Sequence, residues 1–468
     1  MPSQKRLLIE APRWLFLLAL VLAPWVYGCT PDWAVDDLDM LLCVILALWF
    51  SSYAIRGIKR SIHRTLLFCV AIILAYGWAM ALNPHFQAVE GYRFNPIHAP
   101  LPMLPGTVDK QTSCEMMLRI SCLLGVVCFV CDLSTRREWR RRIWCTMAAT
   151  GSSLVLFGLV QSAFEKPIFL WSGIDDTVPY FATYYYHGNA GSFINLVMPF
   201  VAGLAALTLR KPDQHFERAL WFPGFFVCVA GAFVNLSRSA MVITCLLVAM
   251  LLIWQSRGRS RNELLPPRGT RAGYAILMVC AITCLVAFSG WQRPLEKWRT
   301  MEGQLNSSNK RLVSTKVCLR MLPDAGWHGF GPGTFELVFP HYTSEQEGKL
   351  IPGIWRYAHD DYLQTILEWG WVGAIPWAIL FFGTFAEIYR NWKRRRDLST
   401  SDRVLAFVTG TALLGAAAHA IVDFPFQIAS LQLYAGVCAG FAWSSAHWEG
   451  TMVHHSKPRT QSALPASP

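Results

Sequence analysis

The chain has 468 residues, 53% of them hydrophobic and 15% charged, with a formal net charge of +12. Soluble proteins carry about 25% charged residues, and here apolar runs of about 20 residues recur from Trp14 to Ala442. Together these exclude a soluble enzyme, a fibrous protein, a disulfide-stapled secreted domain and a disordered chain. In such a chain basic charge reports topology first, and no nucleic-acid partner is expected.

Hydropathy places apolar windows at 10–28, 38–55, 65–82, 114–131, 143–163, 188–209, 219–235, 240–254, 272–290, 362–389, 404–421 and 428–444. The N-terminal stretch and alternate connections hold 28 of the 42 basic residues and 10 of the 30 acidic ones. That is a balance of +18 on one side against −6 on the other. The positive-inside rule then predicts about twelve spans with both termini cytoplasmic. The expected class is all-α, a polytopic transmembrane helical bundle with a long helical periplasmic loop at 291–361. The expected division is N-terminal helices over 1–187, a main transmembrane domain over 188–445 that includes the loop, and a disordered cytoplasmic tail over 446–468. Most of the 14 cysteines lie in or beside spans, where they behave as small apolar residues. No cysteine or histidine spacing points to a metal, so no metal and no cofactor are expected.

Three polar islands interrupt this pattern. Tyr184-Tyr185-Tyr186-His187-Gly188-Asn189 opens the sixth span; its tyrosines read as an aromatic belt, and Asn189 as a cap. Asn235-Leu236-Ser237-Arg238-Ser239-Ala240 joins two spans through a tight turn with one charge, and an arginine flanked by hydroxyls suits a phosphate contact. The long loop collects nine Lys and Arg between Arg293 and Arg356, an electropositive surface on an otherwise acidic side. A helix near 309–322 would put Arg311 and Arg320 on opposite faces, so one of the two must be structural or surface. The loop ends in His359-Asp360-Asp361-Tyr362-Leu363-Gln364. Asp361 and Gln364 have the spacing of a helix start, and His359 lies just outside it, beside two carboxylates able to orient its ring.

With these residues located, the chain resembles the O-antigen ligase/polymerase superfamily of bacterial envelope proteins. The resemblance rests on Ser237-Arg238-Ser239-Ala240, on Arg311-Leu312 followed by Gly329-Phe330-Gly331-Pro332-Gly333-Thr334-Phe335 and Pro340-x-Tyr342, and on His359 followed by Gly370 and Gly373. One departure is Asp360, where the family usually carries Asn, Ser or Gln. The resemblance implies a fold like that of C-type glycosyltransferases. It also implies a metal-independent, inverting transfer of a glycan from an undecaprenyl diphosphate carrier, at the periplasmic face of the inner membrane. The acceptor would be a lipid, polysaccharide or protein hydroxyl. His359, Arg238 and Arg311 are the expected catalytic residues, with Arg238, Arg311, Arg320, Asn189 and Asp360 expected to bind substrate. Ligation to lipopolysaccharide core, chain polymerisation and protein O-glycosylation all remain open. A transporter or flippase of lipid-linked sugars is the rival class; it calls for ionisable residues deep in the spans, which are scarce here.

Overall fold

The computed structural model describes residues 2–56, 62–89, 93–163, 180–209, 213–257, 299, 310–351, 353–394 and 398–448. Nearly all of the secondary structure is helical. The helices are α1 (Pro2–Trp25), α2 (Asp32–Arg56), α3 (Arg64–Ala81), α4 (Lys110–Leu133), α5 (Arg137–Ala163), α6 (His187–Thr208), α7 (His215–Val234) and α8 (Arg238–Arg257). They continue with α9 (Lys310–Ala325), α10 (Phe335–Tyr342), α11 (Glu345–Leu350), α12 (Asp361–Arg394), α13 (Thr400–Ala420) and α14 (Ala429–Ser444). Among the described residues, eight helices are long and apolar enough to cross a membrane: α1, α3, α4, α5, α6, α7, α12 and α13. The chain is a multi-pass membrane protein. The expected windows other than 272–290 each fall on a helix; that one lies outside the described residues, as do most of 164–187 and 291–309 and the tail after Trp448.

α6 is the axis of the bundle. It is buried along nearly its whole length and packs on α5, α7, α8 and α13. Lipid chains are as apolar as leucine, so helices in a membrane gain by close packing at small residues. A Cβ at Gly191 would overlap Ala240 of α8, one at Gly151 would overlap Val197 of α6, and one at Gly440 would overlap Val130 of α4. At one end, Arg140 of α5 donates to Asp402 Oδ1 at 2.8 Å and to the Ser134 carbonyl at 2.7 Å, under the Trp448 ring. This buried, fully bonded ion pair fastens the start of α13 to the start of α5; deleting either partner would leave a stranded charge.

At the other end the connections form a second layer with its own core. Val313, Val317, Cys318, Met321 and Ala325 line one face of α9 and meet Phe335, Val338 and Phe339 of α10 and Leu363 and Leu367 of α12. The connection after α3 holds a two-stranded antiparallel hairpin, β1 (Phe86–Val89) with β2 (Arg93–Pro96), the one departure from an all-helical reading among the described residues.

The layers interlock at two glycine-bearing bends. α12 breaks at Gly370, whose φ of 64° and ψ of 178° belong to a region essentially reserved for glycine. Its backbone lies against Trp327 and His328, while Gly329 lies against Glu368 and Gly370. Phe330 N and Gly331 N donate to the carbonyls of Leu367 and Glu368, each at 2.9 Å, and Gly333 N donates to Glu368 Oε2 at 3.0 Å. The spacing of the glycines is therefore the spacing of backbone contact. Gly370→Ala is expected to lose about 1–3 kcal/mol from conformational strain alone. Gly348→Ala, in α11 with open space around it, is expected to gain up to about 1 kcal/mol. Thermal melts of the two variants in detergent measure both.

Candidate active site

The turn between α13 and α14 organises the functional end. Val422 N and Asp423 N both close on the His419 carbonyl, ending α13, and Pro425 opens a single 3-10 turn, Pro425–Gln427. Three side chains fix that turn. Asp361 accepts from Phe426 N at 2.8 Å and from Gln427 Nε2 at 3.1 Å, Arg119 Nη2 donates to the Gln427 carbonyl at 3.2 Å, and Gln432 Nε2 donates to the Phe426 carbonyl at 2.6 Å. Asp361 is thus not the helix cap that its spacing predicts. The cap is Asp360, whose Oδ1 accepts from Tyr362 N and Leu363 N, each at 3.0 Å. Gln364 instead reaches back to take the Ala358 N–H at 3.0 Å.

The turn places Asp423, 1% exposed, under three partners from three elements. His359 Nδ1 lies 3.2 Å from Oδ1; Tyr186 Oη donates to Oδ2 at 3.3 Å; Arg311 Nη2 lies 3.5 Å from Oδ2 and 2.6 Å from the Tyr186 hydroxyl. Gly188 makes the approach possible, because a Cβ there would overlap Tyr186 and the Asp423 carboxylate. Burial pushes the Asp423 carboxyl up, but the His359 hydrogen bond and the Arg311 charge outweigh it, holding the carboxyl below the usual range. Burial also raises the Tyr186 hydroxyl, with the Asp423 charge adding to it, so the phenol stays protonated and donates.

His359 sits at a left-handed backbone position, φ 57°, where strain of this kind often marks a functional residue. Its ring stands edge-to-face with Phe424 at 4.7 Å and with Trp355 at 5.1 Å. A carboxylate only accepts, so Nδ1 carries the proton and Nε2 presents its lone pair. Nε2 has no hydrogen-bond partner among the described residues, and the side chain keeps 20% of its surface. A histidine so held can take a proton from a hydroxyl; a partly exposed arginine one carboxylate away can meet an anion.

The structure brings His359 and Arg311 together. Arg238 is the first residue of α8 and half-buried; its turn is tied to the same place, since Asn235 Nδ2 donates to the carbonyl of His187, the neighbour of Tyr186, at 2.8 Å. Asn189 is inside the first turn of α6 rather than at its cap, which is Tyr186. Its amide is buried and its Oδ1 has no hydrogen-bond partner among the described residues. Arg320 is not brought to this group. Its guanidinium is held by Glu347 Oε2 at 2.6 Å and by the Tyr342 carbonyl at 3.0 Å, on the face of α9 away from Arg311. It fastens α11 to α9. Asp360 is likewise occupied at the helix cap, and neither it nor Asp361 orients the His359 ring.

Sequence reasoning missed Asp423 and the part played by Tyr186. The one available signal for Asp423 is an acid in a six-residue connection between two apolar spans. Because its carboxyl is depressed, its contribution to stability is present above the ordinary carboxylate range and is lost as pH falls through the lowered folded value. Asp423→Asn is expected to destabilise by about 1–3 kcal/mol at neutral pH. The gap in melting temperature between wild type and variant should stay flat down to about pH 4 and close below it, which melts across pH would show.

No curated protein matches the chain. Residues 223–378, about a third of it, match the family described as O-antigen ligase. The matched segment contains Arg238, Arg311, His359 and both glycine bends, and stops short of Asp423. Arg238, Arg311 and His359 thus stand in a segment that belongs to the O-antigen ligase/polymerase superfamily.

Proposed function

We propose that the protein is a glycosyltransferase of the inner membrane, with both termini cytoplasmic, that moves a glycan from undecaprenyl diphosphate to an acceptor hydroxyl at the periplasmic face. The observation that carries this reading is the contact of His359, Asp423 and Arg311, a base held by a buried acid beside a cation. In the reaction, His359 Nε2 takes the proton of the acceptor hydroxyl. The oxygen forms a bond to the anomeric carbon of the donor sugar as the bond from that carbon to the diphosphate oxygen breaks. The electron pair leaves with the diphosphate, and the anomeric carbon inverts.

Asp423 stabilises the imidazolium that forms and keeps the proton on Nδ1 in the resting state. Arg311 and Arg238 neutralise the charge that grows on the diphosphate, a role for which the planar, permanently charged guanidinium is suited. Positioned general-base catalysis contributes about 10²–10⁴-fold, and each oriented cation on a developing anion a comparable factor. A fold like that of the C-type glycosyltransferases would supply an apolar lateral groove for the polyprenyl chain.

A transfer assay with labelled lipid-linked donor and purified protein in phospholipid nanodiscs tests the assignment. His359→Ala is expected to lower kcat by about 10²–10⁴-fold. Arg311→Ala and Arg238→Ala should lose about 10²-fold or more, with little rescue by Arg311→Lys. Wild-type rates in the three alanine variants would refute the assignment. The chemical nature of the labelled product separates a ligase from a polymerase and from a protein O-oligosaccharyltransferase.

A further inference from the structure

The connection between α3 and α4 takes no part in the site, yet it is built with care. From Phe94 to Val108 it carries no Lys, Arg, Asp or Glu. Its tip, Ile97-His98-Ala99-Pro100-Leu101-Pro102-Met103-Leu104-Pro105, turns its apolar side chains outward. Met103 is 96% exposed and Leu101 55%, with Ile97 and Leu104 also exposed. A water-facing loop would carry polar side chains at such positions, and its backbone would be left to the solvent.

Here part of the backbone is bonded internally. The buried Asn83 side chain places Nδ2 3.0 Å from the Leu101 carbonyl, 3.2 Å from that of Leu104 and 3.1 Å from that of Pro105; its Oδ1 accepts the Leu101 N–H at 3.0 Å. Leu104 N donates to the Leu101 carbonyl and Ile97 N to that of His85. Pro100, Pro102 and Pro105 have no N–H to satisfy. Of the nine backbone nitrogens from 97 to 105, three are bonded and three belong to proline, which lowers the cost of bringing irregular chain against hydrocarbon.

The depth fits as well. Asn83 comes two residues after the end of α3, whose Leu67, Phe68 and Ile72, with Leu82 at its C-cap, form an exposed apolar face that reaches the loop. The same connection is pinned to the site layer, where Val108 N donates to the Phe330 carbonyl at 2.9 Å and Ser113 Oγ to that of Pro332 at 2.8 Å. The tip therefore stands at the membrane boundary on the site's side.

We propose that residues 97–105 form a membrane-inserting finger, with Leu101, Met103 and Leu104 in the acyl region of the leaflet on the site's side. The finger prolongs the lipid-facing surface of α3 and fixes the height of the site layer above the bilayer. It is independent of the catalytic reading.

The test places the photoreactive residue p-benzoylphenylalanine at Met103 or Leu101 of the full chain. The protein sits in phosphatidylethanolamine/phosphatidylglycerol nanodiscs whose acyl chains carry tritium. Glu345, at the solvent-exposed start of α11, is the control position. Both finger positions are expected to capture at least about tenfold more lipid label than position 345, as immersion in hydrocarbon requires. Label at the level of position 345 would overturn the proposal. So would capture of a second copy of this chain in place of lipid.

Discussion

A carboxylate withdrawn from water at the rim of a membrane bundle stays ionised only where hydrogen bonds and opposite charge replace its hydration. Asp423 meets that condition through Tyr186, Arg311 and His359, and the functional end of the molecule is arranged to supply them. The three come from the start of α6, from α9 and from the strap before α12, so no two are delivered by one element. Around them, the turn carrying Asp423 is held by Arg119, Asp361 and Gln432. The pairing of one buried charge thereby joins the outer layer to the bundle and sets how its side chains face the turn.

That layer has two attachments of different kinds. Glycine contacts join backbone to backbone around Gly329 and Gly370, where no side chain could be admitted, and set distance. The Asp423 contacts are electrostatic, and set orientation. Close approach of two main chains is insensitive to salt and pH, whereas the charge contacts depend on protonation. The rigid joint places Arg311 and His359 near the turn; the charged joint fixes which ring nitrogen faces outward.

Much of the bundle was legible in the sequence, because a span of about 20 apolar residues signals itself without reference to its neighbours. The same locality made Arg311, Arg238 and His359 stand out as polar interruptions. Asp423 had no such local signature. Its meaning lies in partners 64, 112 and 237 residues away, and no periodicity encodes a contact at that separation. Tyr186 was hidden for the opposite reason, since a tyrosine at a span end already has a sufficient explanation in the aromatic belt. Asp361 was misplaced by one residue because adjacent acids satisfy the same capping pattern, and only the positions of Phe426 and Gln427 distinguish them. Arg320 and Arg311 were separable only as residues on opposite faces of one helix; Glu347 shows where Arg320 is held.

The choice of a distant acid to hold His359 follows from the fate of the near ones. Asp360 is committed to the N–H groups of Tyr362 and Leu363 in the first turn of α12, and Asp361 to the turn at Phe426. An acid adjacent in sequence would orient the imidazole whether or not the loop layer were docked. An acid on the bundle orients it only when the loop is seated. Since the loop brings Arg311 as well as His359, the guanidinium and the oriented imidazole meet at one carboxylate of the bundle.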